Sequence, residues 1–454
     1  MRLIPIAAAL GLAALCVPAW AALGDAPEAA DLSAAPSDGA ALGLDQALQE
    51  GLERSPSYRA SEATASEKEW GRLEAFSAFL PSVSLDGTRF LQDKYQVLPV
   101  SFGPLVGAFP EVNPYAQYGF SARWTLFDGW AGVNTLRAAD SASAAAEADR
   151  DWAEFQLRQD IRLKFYRALA AVKLVSLADE NVKTLKDHLR IVKDLLSNGR
   201  ATRFDLLRVE VQLDDARTGQ LDAQDKVDMA RRSLSLAMGE ANDHRPLAGA
   251  LPQPGEAPPE TVPIDDKPDV RSKLLEADAA QQASLAAAGQ WAPKLSVIGD
   301  YQWYYNGYNG ANEMDPGDTA AHGTNYDLGL EASWELFNGG GSLARQREAS
   351  RKADEAGAAA EQARLQASYD RAYWKRRLAY SAQLYQAKLA EVDKAAESVR
   401  LADLGLKAGT RTTTEVLDAE LDSFSAAAAV VSAQMDAAEA LINLESALGT
   451  GDQP

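Results

Sequence analysis

The chain has 454 residues, a formal net charge of −20 at pH 7 and 46% hydrophobic residues. A strongly acidic chain is repelled by phosphate groups, so this composition disfavours a nucleic-acid partner. Its many alanines, together with leucine, glutamate, lysine and arginine, are typical of long helices and coiled coils.

The first 21 residues have the features of a secretory signal peptide. Arg2 supplies a positive charge, Leu3 to Trp20 are mostly apolar, and Ala19-Trp20-Ala21 fits a cleavage site. Cys16 is the only cysteine, and Leu15 precedes it where a lipoprotein signal would have a small residue, so we expect cleavage rather than lipidation. No later run of 18 apolar residues occurs, so any membrane insertion is expected to use β-strands.

The next part of the chain changes from a helical to a strand periodicity. A helical pattern begins at Leu44, continues past Ser55-Pro56 to about Phe79, and stops before Pro81, as helices tend to do. From Val83 onward apolar and polar residues alternate, which predicts a strand. Residues 92–115 are rich in proline and glycine and predict a loop.

A second alternating stretch, Tyr118 to Gly129, runs directly into a very long helical segment. Asp128 is placed to cap that helix. The segment from Trp130 to Asn198 contains no proline and predicts a helix of about 100 Å. Near its end, apolar residues spaced three and four apart predict a coiled-coil seam: Val182, Leu185, Leu189, Val192 and Leu196.

The same order of sequence patterns then recurs in the second half of the chain. Tyr326 to Gly339 repeats the alternating stretch, again closes with Trp-x-Leu-Phe-Asp/Asn-Gly, and offers Asn338 as the helix cap. The spacing between the copies is constant from Trp124 and Trp334 to Gly239 and Gly449, which indicates an internal duplication. The predicted organisation is a signal peptide (1–21), a disordered leader (22–40), a first repeat (41–239), a proline-rich linker (240–268), a second repeat (269–449) and a tail (450–454).

Two strands in each repeat give four per chain, and four strands cannot close a cylinder. An open strand edge is not tolerated in lipid, so copies of the chain must pool their strands if these enter a membrane. Physical reasoning leaves both a dimer with eight strands and a trimer with twelve open.

Several short motifs follow one another along the chain: Leu44-x-x-Ala47-Leu48, Ser55-Pro56, Leu80-Pro81-Ser82-Val83-Ser84-Leu85, the doubled Trp motif, Lys407-Ala408-Gly409-Thr410-Arg411 and Leu417-Asp418-Ala419. With these motifs the sequence resembles the TolC family of outer membrane efflux proteins from residue 44 to residue 449. The resemblance implies an α+β membrane protein in which long antiparallel helical hairpins form a periplasmic α-barrel and four strands per protomer join a trimeric, 12-stranded transmembrane β-barrel. It implies a homotrimer in the outer membrane lipid, reaching into the periplasm to an adaptor (membrane fusion) protein and an inner-membrane transporter.

The candidate functional residues lie first at the helical turns farthest from the strands. Glu415 and Asp418 are three apart and share a helix face, so three copies would bring six carboxylates together, a ring that favours cations. A solvated acidic face is the alternative from sequence alone, whereas the resemblance places a periplasmic gate at these positions. The first repeat has Asp205 and Arg208 there. Arg203 and Arg411 are candidates for ion pairs between hairpins, and Leu406 stands where the family often has tyrosine.

The turns themselves and the strands supply the other candidates. Gly199 and Gly409 are expected to end helices with positive φ. The resemblance implies that these turns, with Arg200, Thr202, Thr410 and Thr412, also contact the adaptor. Aromatic residues on the strands are candidates for belts at the membrane interfaces, with packing between strands as the alternative: Tyr118, Trp124, Trp303, Tyr326 and Trp334.

No constellation of residues predicts catalysis, a cofactor or a metal site. His188, His244 and His322 have no partners at ligand spacing and are each expected to be exposed polar residues. We therefore predict a passive exit duct of a tripartite efflux pump or type I secretion system. A coiled-coil periplasmic adaptor or scaffold without a pore is the alternative, but it has no need of alternating strands. A periplasmic enzyme has no acid, base or nucleophile to support it.

Overall fold

The computed structural model describes residues 41–89, 96–102, 105–111, 116–241, 243–305 and 322–450. The predicted signal peptide, the leader and most of the tail lie outside these residues. The elements follow in chain order: α1 (Leu44–Arg54), α2 (Pro56–Ser77), β1 (Ser82–Arg89), β2 (Gln96–Phe102), β3 (Leu105–Glu111), β4 (Ala116–Phe127), α3 (Ala131–Ser197), α4 (Arg203–Ala237), a 3₁₀ helix (Ile264–Asp266), α5 (Pro268–Gly289), β5 (Lys294–Tyr305), β6 (His322–Ser333), α6 (Gly341–Ala408) and α7 (Thr413–Leu448).

Four strands form one antiparallel sheet in the order β1-β4-β5-β6. Because side chains alternate along a strand, Val83, Phe120 and Leu330 lie on an apolar face, and the register places Ser84, Ser121, Asp300 and Asp327 in one row on the other face. The predicted alternation and the sheet of four strands are confirmed. The two edges of the sheet are β1 and β6, which no other described strand covers.

The predicted loop at residues 92–115 is wrong in its middle part. There β2 and β3 pair antiparallel as a separate two-stranded sheet, from Gln96 opposite Glu111 to Phe102 opposite Leu105. Four prolines in this stretch favoured a loop, but Pro99 and Pro110 lie within these two strands, which are edges and have one partner each. An edge strand can accommodate proline because the missing N–H faces away from its partner.

The second copy of the Trp motif differs from the first because it lies beside an open edge. Trp124 and Thr125 pair with β5, whereas β6 ends at Ser333, so Trp334 to Phe337 follow the strand without a partner in the described chain. The predicted strand to residue 336 is therefore too long in this single protomer. Equivalent sequences differ here because one copy is central in the sheet and the other lies at its edge.

The long helices are confirmed: α3 has 67 residues and α6 has 68. At the sheet end, α3 packs between α2 and α5, and α5 also packs on α6. At the opposite end, α3 packs between α4 and α7, and α7 packs on α6. The protomer thus has α2 and α4 along one lateral edge and α6 along the other. No helix among the described residues is both long and apolar enough to cross a membrane.

Both long helices begin later than their predicted caps. Trp130 and Gly340, each with positive φ, immediately precede the first helical residues. Asp128 Oδ2 nevertheless accepts a hydrogen bond from the Gly132 amide at 2.6 Å, and Asn338 Oδ1 accepts one from the Ser342 amide at 3.1 Å. Asp128 and Asn338 therefore accept hydrogen bonds from N–H groups in the first helical turn, although each residue lies two positions before the N-cap.

The main core lies midway along α3, where the segment between the repeats packs back onto it. Phe165 and Ile161 are fully buried there against α1 and Met238. Leu42 bridges to Leu247, with its amide donating to the Pro246 carbonyl at 2.8 Å. The segment from 240 to 263 is without helix or regular strand where it is described, yet Leu247 and Leu251 pack into this core.

An ion-pair network closes the same region. Arg245 donates to both carboxylate oxygens of Glu50, at 3.0 and 2.8 Å, and to Asp243 at 2.7 Å. The Arg245 side chain is mostly buried, and its hydrogen bond lowers the pKa of Glu50 to about 2. This bidentate contact fastens the inter-repeat segment to α1.

Candidate functional site

The two turns farthest from the sheet have the same local structure. Gly199 (φ 69°) and Gly409 (φ 74°) end α3 and α6 in the left-handed conformation, which glycine adopts without steric cost. The amides of Arg200 and Thr410 then donate to the carbonyls five residues earlier, at 2.8 and 2.9 Å. This is the hydrogen-bond pattern of a Schellman turn, so the glycines are explained as helix ends.

Each returning helix then begins with a capping box. Thr202 and Asp205 exchange hydrogen bonds between side chain and backbone at 2.8 and 3.2 Å, and Thr412 and Glu415 do so at 2.8 and 3.3 Å. Hydrogen bonds from Thr202 lower the pKa of Asp205. The pKa of Glu415 is lowered most by the hydrogen bond from the Thr412 amide and next by the hydrogen bond from Arg411. Two of the predicted gate carboxylates are thus tied to their own helix N-termini.

The ion pairs at the tips differ from the predicted set in how they are connected. Arg411 Nη1 lies 2.6 Å from Glu415 Oε1 within the second hairpin, so in this protomer it does not reach the first. Arg208 Nη2 lies 3.0 Å from Asp418 Oδ1 and joins α4 to α7. Arg203 has no ion pair within the described chain. Among the predicted gate residues, the ion pair that joins the two hairpins is therefore Arg208 with Asp418, at equivalent positions of the two repeats.

Sequence reasoning missed a buried contact between the hairpins. His188 was expected to be exposed, but only 3% of its side chain is accessible, and its Nδ1 lies 3.7 Å from Oε1 of Glu420 on α7. Leu185, His188 and Val192 follow the spacing of three and four that defines the seam, and all three are buried. That spacing could have revealed the burial. Of the other histidines, His244 is exposed, and the side chain of His322 lies outside the described residues.

Leu406 lies beside the same contact, in a small cluster with Val399 and Val416. Its side chain is partly buried and apolar. It therefore packs between α6 and α7 rather than offering the hydroxyl that a tyrosine would bring.

The aromatic candidates lie at two levels of the sheet. At the far level, Tyr118 stacks on Trp303 with ring centroids 5.7 Å apart, and Tyr326 is strongly exposed. At the level next to the helices, the indole N–H of Trp124 donates to the Phe79 carbonyl at 2.9 Å. That of Trp334 donates to the carbonyl of Trp291, also at 2.9 Å. The two levels are about 20 Å apart along a strand.

The polar face of the sheet carries charged side chains and hydroxyl groups. Arg123 donates to both carboxylate oxygens of Glu331, at 2.7 and 3.3 Å, across the intervening strand. Asp86 accepts from Ser84 and Ser121, each at 3.1 Å. One row of the face thus combines carboxylates with hydroxyl groups, which suits contact with water and not with lipid. Within the described residues, no group of three or more histidine, cysteine or carboxylate side chains is arranged to hold a metal ion.

Comparison with known proteins adds the family. No curated protein matches the chain. Among solved structures, the outer-membrane channel OprN has 21% identity and a TM-score of 0.75, with 90% of each chain covered. VceC of Vibrio cholerae has 18% identity and a TM-score of 0.75, covering 90% of this chain and 96% of VceC. The open state of the MtrE channel of Neisseria gonorrhoeae has 20% identity and a TM-score of 0.71, covering 90% and 89%.

At these low sequence identities, the similarity to the solved structures establishes the fold of the chain alone. The sequence profile of the outer membrane efflux proteins matches residues 47–240 and 264–450, most of both repeats. The chain therefore belongs to the outer membrane efflux protein family and is an efflux protein of the outer membrane.

Proposed function

We propose that three copies of this chain form a passive exit duct, opened at its helical tips by a periplasmic adaptor and an inner-membrane transporter. The observation that carries the proposal is the placement of the two candidate regions. An amphipathic sheet lies at one end of α3 and the ion-paired hairpin tips lie at the other, about 100 Å away. A sheet in the outer membrane would place the tips deep in the periplasm, where such partners can reach them.

The lateral edges of the protomer support assembly with further copies. By duplication α4 corresponds to α7, yet Leu207 is 51% exposed whereas its counterpart Leu417 is 4% exposed. Likewise Leu221 is 66% exposed and its counterpart Val431 is 2% exposed. In α7 these positions are buried against α3. By duplication the counterpart of α3 is α6. The exposed leucines of α4 can therefore be buried against α6 of another copy. This contact is head-to-tail and repeats until a ring closes.

The strands lead to the same arrangement. β5 corresponds to β1, and the pairing of β4 with β5 inside one protomer predicts that β6 pairs with β1 of the next copy. Trp334 and Glu335 would then gain the partner strand that Trp124 and Thr125 already have. Three copies would close a barrel of twelve strands, with the apolar face toward lipid and the row containing Asp300 toward the lumen.

In this arrangement the proposed gate is the set of contacts that hold the tips together. Arg208 and Asp418 connect the two hairpins of one protomer, while Arg411 and Glu415 stabilise the start of α7. The exposed turns are the proposed adaptor contacts: Gly199, Arg200, Thr202, Gly409, Thr410 and Thr412. The two aromatic levels of the sheet would lie at the two membrane interfaces, because tryptophan and tyrosine favour the depth of the lipid headgroups. One level contains Tyr118 and Trp303, and the other contains Trp124 and Trp334.

Two measurements test the proposal. We expect heat-sensitive trimers in the outer membrane fraction and ion conductance when the purified protein is added to planar bilayers. Leu207→Glu combined with Leu221→Glu should abolish both, because two charges would enter the contact between copies. Gln224→Glu adds a charge at another exposed position of α4 and should leave both intact. A stable monomer that conducts no ions would refute the duct.

A further inference from the structure

The contact between His188 and Glu420 is buried where the three helices α3, α6 and α7 meet. The exposed fractions of the two side chains are 3% and 14%. Their remaining polar atoms, His188 Nε2 and Glu420 Oε2, have no hydrogen-bond partner among the described residues. Both residues line a cavity of about 370 Å³ between the helices. A buried imidazole without a hydrogen bond is unusual, because such groups are nearly always paired.

The other charged groups around this cavity already have partners on their own helices. Asp187 lies 3.7 Å from Arg190, Arg400 lies 2.6 Å from Glu397, and Asp403 lies 2.5 Å from Lys407. Glu420 differs, since the ion-pair partner that the described chain gives it is the imidazole of His188. The charge state of that imidazole therefore decides whether Glu420 is paired or isolated.

We propose that His188 and Glu420 form a proton-operated latch between the two hairpins, closed when His188 is protonated. At 3.7 Å the neutral imidazole is too far away for a hydrogen bond. An imidazolium is drawn to the carboxylate, and the attraction is stronger where water is largely excluded. The latch is proton-operated because histidine is, among side chains in general, the one whose charge changes most readily between about pH 5 and 8.

The position of the latch connects it to the gate, and in this respect the inference rests on the proposed function. Asp418 and Glu420 are two residues apart on α7, and they reach α4 and α3 respectively. Separating the hairpins at the tip would break both contacts. In the second repeat the position equivalent to His188 is Ser398, and in the first repeat the position equivalent to Glu420 is Glu210. The contact between copies therefore lacks the histidine, and the latch operates only inside each protomer.

Conductance at two pH values tests the latch. In planar bilayers we expect the open fraction of the unaltered channel to be about fivefold lower at pH 5.5 than at pH 8, because each pair stabilises the closed tips. His188→Gln should abolish the difference, since glutamine fills similar space without titrating in this range. His244→Gln, which removes an exposed histidine between the repeats, is the control and should keep the response. A response retained in His188→Gln would overturn the latch.

A double-mutant cycle separates failure of the latch from failure of the duct. The thermal unfolding midpoints of the unaltered protein, His188→Gln, Glu420→Gln and the double variant give the coupling between the two side chains without any channel measurement. We expect coupling at pH 5.5 that disappears at pH 8. Equal coupling at both pH values would refute the latch even if the channel conducts, and pH-dependent coupling would support it even if no channel forms.

Discussion

The link between Arg208 and Asp418 allows a quantitative test of the gate. Asp418→Asn keeps the shape of the side chain and removes its charge, so the Nη2 to Oδ1 contact of 3.0 Å loses its ionic character. The two side chains are 39% and 58% exposed, so solvent screening limits the pair to about 0.5 kcal/mol. Three pairs in a trimer contribute about 1.5 kcal/mol, which corresponds to a roughly tenfold higher ratio of open to closed channels in the variant.

Single-channel recording at about 0.15 M salt measures this ratio. At 1 M salt the Debye length is about 3 Å, so the unaltered channel should approach the behaviour of the variant. Asp214→Asn is the matched control, because it breaks an exposed pair with Arg217 at 3.0 Å within α4 and joins no hairpins. An open fraction unchanged by Asp418→Asn, or raised equally by Asp214→Asn, would refute the assignment of this pair to the gate.

Three further predictions concern stability. The hydrogen bond from Arg245 is the main cause that lowers the pKa of Glu50 from 4.5 to about 2. Ionised Glu50 therefore stabilises the folded state by about 3 kcal/mol above pH 4.5, and this stabilisation is lost as pH falls toward 2. Urea titrations should show a flatter pH profile for Glu50→Gln, and an unchanged profile would contradict the network. Gly199→Ala should lower the unfolding midpoint, because an alanine at φ 69° has about 1 kcal/mol of backbone strain. No atom lies within 4 Å of the added methyl group, so no steric clash adds to this strain. Gly219→Ala, inside α4, should raise the midpoint. Trp124→Phe should cost about 1 kcal/mol by removing one hydrogen bond, and equal stability in urea would show that this bond contributes nothing.

The sequence was most informative where local periodicity and duplication agree. The absence of proline from Trp130 to Asn198 predicted α3 nearly to the residue, and the constant spacing of the copies predicted α6 and α7. The alternation from Tyr118 predicted β4 and which of its faces is polar. Such features depend on interactions between near neighbours in the chain, which a sequence displays directly.

Partners distant in sequence were harder to predict. Glu415 and Asp418 were grouped because they are three apart, but the fold ties the first to Thr412 and pairs the second with Arg208. The spacing of His188 from Leu185 and Val192 indicates a buried position, but no residue near it in the chain identifies the helix that covers it. The partner that covers it, α7, begins more than 200 residues later.

By itself the sequence determined the helices, the alternating strands, the duplication and the turns at Gly199 and Gly409. Each of these follows from backbone preference and from the spacing of apolar side chains. Only the tertiary structure decided which hairpin contacts which, because α3 and α7 meet through side chains brought together by packing. It also decided that one Trp motif is central in the sheet and the other lies at its edge, since a strand's neighbours belong to the sheet and not to the strand.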